Sequence, residues 1–377
     1  MILLHTSDWH LGAMDGDRSL LKDQEFFINA ICDVIRDYCV DAVIIAGDIY
    51  DRSVSSAEAI KLYDYAMTRI CSELKVPVII IAGNHDSAER LSSCRELLAP
   101  AGLYISGSLE KEISKVSFED ADIYLLPWIT EEKVKSVFTD KKDSVDSLEA
   151  AYRTVTDCIK AGFDANKKHM IVSHAFISDS ETSTSDRAAE IGFASQVSAE
   201  VFDGFDYVAL GHIHKPQNVT DKIRYSGTPM PYSFGKEEKQ EKSVTIINTS
   251  DMKQQVVCLP LLHRRNTIVG TLNELLDFDG PDEIKNGYVR LQVTDQYIGL
   301  EALSELRKVF PNILEASGKS FEGENASITL TMDELEKLES DPVEVFKHFC
   351  MEEINIEPDG HLLDLFKAAI SAEEGTE

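Results

Sequence analysis

Short apolar runs alternate with stretches of helical period over the first hundred residues. The run "MILLHT" is followed, from about Asp17 to Tyr38, by Leu20, Leu21, Phe27, Ile28, Ile31 and Ile35 near helical spacing. Then come "AVIIA", a helix over about Ser55 to Leu74, "PVIII" and a helix over about Ala88 to Leu98. This strand-helix alternation predicts an α/β sheet covered by helices. Beyond Gly102 strands become denser: "DIYLLP", "HMIVSHA", "DYVALG", "IRYSG", "SVTIIN" and "QQVVCLP", with one helix near Val145 to Ala161. They read as a partly antiparallel sheet that completes the first. The polar segment Ser178 to Asp186 reads as a mobile loop and "GKEEKQEK", Gly235 to Lys242, as a charged hairpin turn.

After "HRRNTIVGTLNELL" the pattern restarts as a small β-α-β-α-β unit. Its strands lie near Tyr288 to Val293 and Ile313 to Glu315, with a helix over about Leu300 to Val309 and the acidic connector "DFDGPDE" inside it. The chain ends in two short amphipathic stretches, "DPVEVFKHFCMEEI" and "GHLLDLFKAAISAEE". The expected division is 1–265, 266–338 and 339–377, consistent with a length of 377 residues.

Composition narrows the class. With 43% apolar and 27% charged residues the chain is that of a soluble globular protein. No apolar run approaches a membrane span and "MILLHTSDWH" carries no basic leader, so a cytoplasmic location without membrane contact is expected. The 7 cysteines never form CxxC, which argues for reduced thiols rather than disulfides or a thiolate metal site. A net charge of -29 opposes long-range attraction to nucleic acid.

The candidate chemistry sits at the ends of the apolar runs: Asp8 and His10 in "HTSDWHLG", Asp48 in "IAGDIYDR", Asn84 and His85 in "IAGNHD", His174 in "IVSHA", His212 and His214 in "LGHIHKP". Ligands of open α/β sheets bind beyond the carboxyl ends of the strands, so these tips aim at one place. Singly each has a plainer explanation. A strand-end Asp is commonly a helix cap, "GNHD" a tight turn, and a lone His a satisfied core residue. Jointly they offer oxygen and nitrogen donors suited to borderline divalent ions, and too many for one ion. Two ions about 3.5 to 4 Å apart, as used in phosphoryl displacement, fit the number. The glycines of "AGD", "AGN" and "LGH" would let the backbone turn sharply before each donor.

Through "DxH", "GDxxDR", "GNHD", a later single His and "GHxH", residues 1 to about 235 resemble the calcineurin-like metallophosphoesterases. The resemblance implies a four-layer α/β/β/α sandwich. It implies that Asp8, His10 and His214 hold one metal ion and Asn84, His174 and His212 the other, with Asp48 bridging both. It also implies that His85 protonates the leaving oxygen, that the Asp51 carboxylate orients it, and that Arg52 contacts the phosphate. Asp51 stands where DNA-directed members often carry histidine.

"MILLHTSDWHLG", "GDIYDR", "AGNHD", "DYVALGHIHKPQ" and "YSGTPMPYSFGKEEKQEK" are similar, more narrowly, to the SbcD nuclease family, departing at Lys236 where an acidic residue is expected. That likeness implies two divalent ions, manganese with magnesium as the alternative. It implies ATP-dependent 3′–5′ exonuclease action on duplex ends and endonuclease action on single strands and hairpins. It further implies a small α+β capping domain, a homodimer, and an SbcC-type ATPase partner in a heterotetramer. The terminal helix pair would grip the partner's coiled coil through Phe346, Phe349, Leu362, Leu363, Leu365 and Phe366. DNA presented by a partner to a site holding two dications relaxes the objection from net charge. The alternatives are a small-molecule phosphodiesterase or phosphatase of the same fold, and a scaffold without catalysis, which would have no need of His85.

Overall fold

The computed structural model describes residues 1–178, 180–183, 185–186, 196–319 and 327–331, with Val343, Phe346, Lys347, Gly360, Leu362, Leu363 and Leu365. These residues form two compact units: Met1–Met14 with Ser19–Arg264, and Asp15–Arg18 with the chain from Arg265 onward.

The first unit is built on two six-stranded sheets. One has the order 253–258, 243–248, 2–6, 42–45, 78–81, 103–106, the last four strands parallel and the first two antiparallel. The other has the order 217–218, 223–225, 207–211, 168–174, 121–126, 115–117, parallel at the centre and antiparallel at both edges. The second half of the chain therefore does not complete the first sheet, as its pattern suggested. It builds a sheet of its own and returns only Ser243–Asn248 and Lys253–Cys258 to the first.

Alternation of side chains along each strand decides what lies between the sheets. Leu3, Ala42, Ile44, Ile79 and Ile81 meet Ile123, Leu125, Met170, Val172 and Ala209 in one dry core. Their neighbours Leu4, Val43, Ile45, Val78 and Ile80 are just as inaccessible on the opposite face. Strands buried on both faces need continuous apolar runs, which is why "AVII" and "VIII" do not alternate. On the far face of the second sheet, Tyr124, Leu126, Ile171, Val208 and Leu210 pack with Ala151, Tyr152, Val155 and Ile159 of the helix Leu148–Lys160. Each buried Leu, Ile or Val among them contributes about 1.5–3 kcal/mol. The Ser147 hydroxyl accepts from the Ala150 N–H at 3.2 Å and starts that helix. The result is the α/β sandwich that the family resemblance implies.

Local differences have local causes. The first helix runs Leu21–Asp37 rather than from Asp17, because Met14–Asp15 and Arg18–Ser19 pair as a hairpin before it. The expected helix over 88–98 is two short ones, Ala88–Leu91 and Arg95–Leu98, parted by Cys94 at φ 60°. "GKEEKQEK" is a short 3-10 turn, Lys236–Lys239, whose Glu237 and nearby Lys242 are buried rather than solvated.

In the second unit, strands Arg265–Gly270, Tyr288–Val293 and Ile313–Lys319 run parallel and Ser327–Thr331 adds an antiparallel edge. Leu275, Val289, Leu291, Leu303, Leu306, Phe310 and Ile313 form its core. Thr271 and Glu274 close a capping box on the helix Leu272–Leu276. Arg265 pairs with Asp15 at 2.5 Å. Of the apolar positions expected to meet a partner, Phe346 and Leu363 are half-buried, while Leu362 and Leu365 are 38% and 55% exposed. Phe349 and Phe366 lie outside the described residues. Among the described residues no helix is long and apolar enough to cross a membrane.

One buried carboxylate ties two strands and a turn of the second sheet. Asp122 accepts from Lys115 at 2.8 Å and Lys167 at 3.1 Å. Burial pushes its carboxyl up, but the two ammonium groups outweigh burial and hold it at about 2. A depressed carboxyl stabilises the fold above about pH 4 and loses that contribution as pH falls through about 2. Asp122→Asn should therefore cost about 1–2 kcal/mol in urea melts at pH 7 and progressively less toward pH 3. Equal stability of the two chains at both pH values would show that the pairing contributes nothing.

Candidate metal centre

Parallel strands place every donor. Strand Ile2–Thr6 leads into Asp8 and His10, Ala42–Ile45 into Asp48, and Val78–Ile81 into Asn84 and His85. From the second sheet, Lys168–His174 ends on His174 and Tyr207–Gly211 leads into His212 and His214. The backbone is strained where it delivers them. Asp8, His10, Asp48 and His212 have φ of 53°, 44°, 50° and 100°. Left-handed backbone costs a residue with a Cβ roughly 1–2 kcal/mol, so something must hold each one there.

Reciprocal hydrogen bonds do so. The amides of Asp8 and His10 donate to the carbonyls of Gly47 and Asp48, both at 3.0 Å. The Asp8 carboxylate accepts from the His212 N–H at 2.9 Å, and the Asp48 carboxylate from the His85 N–H at 2.9 Å. Gly47, at φ 90°, is the turn the sequence suggested. Gly83 and Gly211 are there for space instead. A Cβ on Gly83 would stand 2.1 Å from Asp48 Oδ1, and one on Gly211 1.9 Å from the Ala46 carbonyl oxygen.

The donors converge at this junction. Ligand atoms of Asp8, His10 and His214 lie within 4.8 Å of one another, and so do those of Asp8, Asp48 and His174. His10 Nε2 and His214 Nε2 face each other at 3.2 Å. Asn84 Oδ1 lies 2.9 Å from His174 Nε2 and 3.0 Å from His212 Nδ1. Asp48 Oδ2 lies 3.4 Å from His174 Nε2 and 3.9 Å from His10 Nε2. His174 donates from Nδ1 to the Ala46 carbonyl at 2.9 Å, and His214 Nδ1 is 2.6 Å from the Ser185 hydroxyl. Each contact leaves Nε2 aimed at the cluster, the arrangement that fixes metal-binding imidazoles. Asp8, His10, Asp48, His174, His212 and His214 are buried, His85 is half-buried and Asn84 is exposed at the mouth.

Without an ion the charges conflict. Burial lowers His174, yet Asp48 outweighs it and holds the imidazole at about 9; His214 is likewise held at about 9 against burial by Glu237 and Asp186. Burial depresses His10 well below its usual value and His212 to about 3. Burial raises the Asp8 carboxyl to about 6, whereas Asp48 is held below the carboxylate range, chiefly by His174 against burial. Packed lone pairs whose charges only trapped protons relieve are what a divalent cation satisfies. Oxygen and nitrogen donors without thiolate suit such an ion, so the residues present fit a divalent metal centre.

The remaining expected residues are also at the site, with one difference. His85 Nδ1 donates to the Asp51 carbonyl at 2.8 Å, so the backbone rather than the carboxylate orients the ring. The Asp51 carboxylate instead lies 3.5 Å from Arg52 Nε and 4.0 Å from His10 Nδ1. Arg52 is largely exposed beside it.

Several residues escaped the sequence reading. Asp86 accepts from the amides of Gly83, Ile49 and Tyr50 at 2.9, 3.1 and 2.9 Å and locks the "GNHD" loop to the "GDIYD" loop. Its place inside a recognised motif was the signal. Trp128 stacks on His212 with centroids 5.2 Å apart, and no pattern around it announces this. The end of the expected mobile loop is packed: Ser183 and Asp186 are buried, and Asp186 accepts from the His214 N–H at 3.1 Å. Asp179 and Thr184 of that segment lie outside the described residues.

The calcineurin-like phosphoesterase family model matches residues 1–216, more than half of the chain. A second model, SbcD_C, described as the type 5 capsule protein repressor C-terminal domain, matches residues 260–353. Among solved structures the chain is similar to TT1561 of Thermus thermophilus, at 12% identity over 69% of this chain and 99% of that one, TM-score 0.38. It is similar to a dimetal phosphatase from Danio rerio, at 13% identity over 69% and 99%, TM-score 0.39. It is also similar to the phosphoesterase YfcE of E. coli, at 11% identity over 69% and 100%, TM-score 0.25.

The crowding at Gly83 makes a direct test of the centre. Gly83→Ala must displace Asp48 and should lower Mn²⁺ uptake at least ten-fold by calorimetry. Gly299→Ala, whose added Cβ meets nothing within 4 Å, should leave uptake unchanged. Unaltered binding by Gly83→Ala would remove Asp48 from the centre.

Proposed function

Because the chain belongs to the calcineurin-like phosphoesterase family, we propose that it is a two-metal DNA nuclease, the nuclease subunit of a complex with an SbcC-type ATPase. What carries this reading is the coexistence in one chain of the donor cluster within residues 1–216 and the SbcD_C match over residues 260–353. A simple phosphatase would need only the first.

In this reading Asp8, His10 and His214 would hold one ion, Asn84, His174 and His212 the other, and Asp48 would serve both. Two divalent cations bound there, manganese or magnesium, would supply Lewis-acid stabilisation of the phosphate charge and make water nucleophilic near neutral pH. His85 delivers the proton. With Nδ1 donating to the Asp51 carbonyl, the imidazolium presents its Nε2 proton to the departing sugar oxygen. Exposed Arg52 supplies a positive contact for a phosphate entering the cleft, and the Asp51 carboxylate keeps that guanidinium beside the site.

A net charge of -29 suits a nuclease that receives DNA from a partner rather than capturing it alone. The substrates proposed are duplex ends, hairpins and single strands, in recombination, repair and palindrome processing. Residues 1–265 carry catalysis, 266–338 cap it, and 339–377 bind the ATPase through Phe346, Phe349, Leu362, Leu363, Leu365 and Phe366. A homodimer bound to two ATPase chains completes the assembly, in the cytoplasm.

A hairpin-ended duplex incubated with Mn²⁺, with and without the ATPase and ATP, tests this. Hairpin opening that the ATPase and ATP extend to duplex degradation is expected. Intact DNA alongside hydrolysis of a chromogenic phosphodiester would replace the nuclease with a small-molecule phosphodiesterase. His85→Asn should slow cleavage by about 10²–10⁴ at unchanged Mn²⁺ content. Wild-type rates in that variant would remove His85 from the chemistry.

A further inference from the structure

Behind His214 lies a buried ion pair that the proposed chemistry leaves unused. Glu237 and Lys242 are each 1% exposed and meet at 3.1 Å. Burying two charges is costly, and a pair that only filled space could be apolar with little loss. Two of its hydrogen bonds lead to His214, one directly and one through Ser185. The Lys242 ammonium donates to the His214 carbonyl at 3.3 Å and to Thr228 Oγ1 at 2.8 Å. The Glu237 carboxylate accepts from the Tyr232 N–H at 2.9 Å and Ser233 Oγ at 3.0 Å, and from the Ser185 hydroxyl. That hydroxyl stands 2.6 Å from His214 Nδ1, with Glu237 Oε1 itself at 3.8 Å and Asp186 Oδ1 at 3.4 Å.

We propose that Glu237 and Lys242 are positioning residues that clamp His214 at both ends. Glu237 acts through the Ser185 hydroxyl on the ring, and Lys242 acts on the main chain. Ser185 gives its proton to Glu237 and accepts the Nδ1–H of His214, which commits that imidazole to the tautomer with a free Nε2 lone pair. Lys242 holds the Glu237 carboxylate in place at 3.1 Å and fixes the His214 carbonyl at 3.3 Å. The inference rests on the reading of His214 as a metal ligand, and it assigns the pair to the Asp8, His10 and His214 side of the centre.

Manganese titration of the full-length chain, followed by calorimetry and by the paramagnetic signal of free Mn²⁺, tests it. Wild type should take up two ions. Glu237→Gln, and the double variant Glu237→Met with Lys242→Met, should keep one ion at wild-type affinity and bind the other ten- to a hundred-fold more weakly. The double variant, which replaces the pair with apolar bulk, should retain its melting temperature within a few degrees. Asp122→Asn lowers stability elsewhere and should keep both ions. Wild-type affinity for both ions in Glu237→Gln would overturn the clamp, as would equal weakening of both ions that Asp122→Asn reproduces. No Mn²⁺ uptake by wild type would instead overturn the metal-centre reading, and the clamp with it.

Discussion

The structure depends on one crowded junction, where the carboxyl ends of the two sheets come so close that no side chain fits at Gly211. The Ala46 carbonyl marks it. It receives the His174 Nδ1 proton at 2.9 Å and would stand 1.9 Å from a Cβ on Gly211. At the same junction the backbone is left-handed at Asp8, His10, Asp48 and His212, and carboxylate-to-amide bonds from Asp8 and Asp48 brace it. The core between the sheets brings the ends together, so the site's geometry is a consequence of how Ile44 and Ile81 pack against Leu125 and Val172.

Proximity then creates an electrostatic demand. Buried imidazoles and carboxylates at these distances cannot all sit at their ordinary charge states: burial lowers His10 and His212, while neighbouring carboxylates outweigh burial and raise His174 and His214. A divalent cation answers that demand better than protons do. Outer contacts from Ala46, Ser185 and the Asp51 carbonyl orient the rings, which is half of what defines such a centre.

The donors were legible because each follows an apolar run, and a run marks a strand end whatever its partners are. Sheet membership was not legible. "DIYLLP", "HMIVSHA" and "DYVALG" are as apolar on both faces as the strands of the first half, and periodicity does not say which edge a strand joins. Residues that act from behind were hidden for a related reason. Glu237 and Lys242 sit in a charge run that composition assigns to solvent, and only three-dimensional packing puts them under His214. The hairpin before Leu21 and the break at Cys94 fell inside plausible helical spacing, where turn geometry overrode it.

The second unit has a core of its own around Leu291, Leu306 and Phe310. Everything proposed for catalysis returns to whether two ions occupy that junction. Anomalous scattering at the manganese edge from crystals soaked in Mn²⁺ measures this most directly. Two peaks about 3.5–4 Å apart are expected, one beside Asp8, His10 and His214 and one beside Asn84, His174 and His212, with Asp48 between them. A single peak, or none within reach of Asp48, would contradict the two-ion centre.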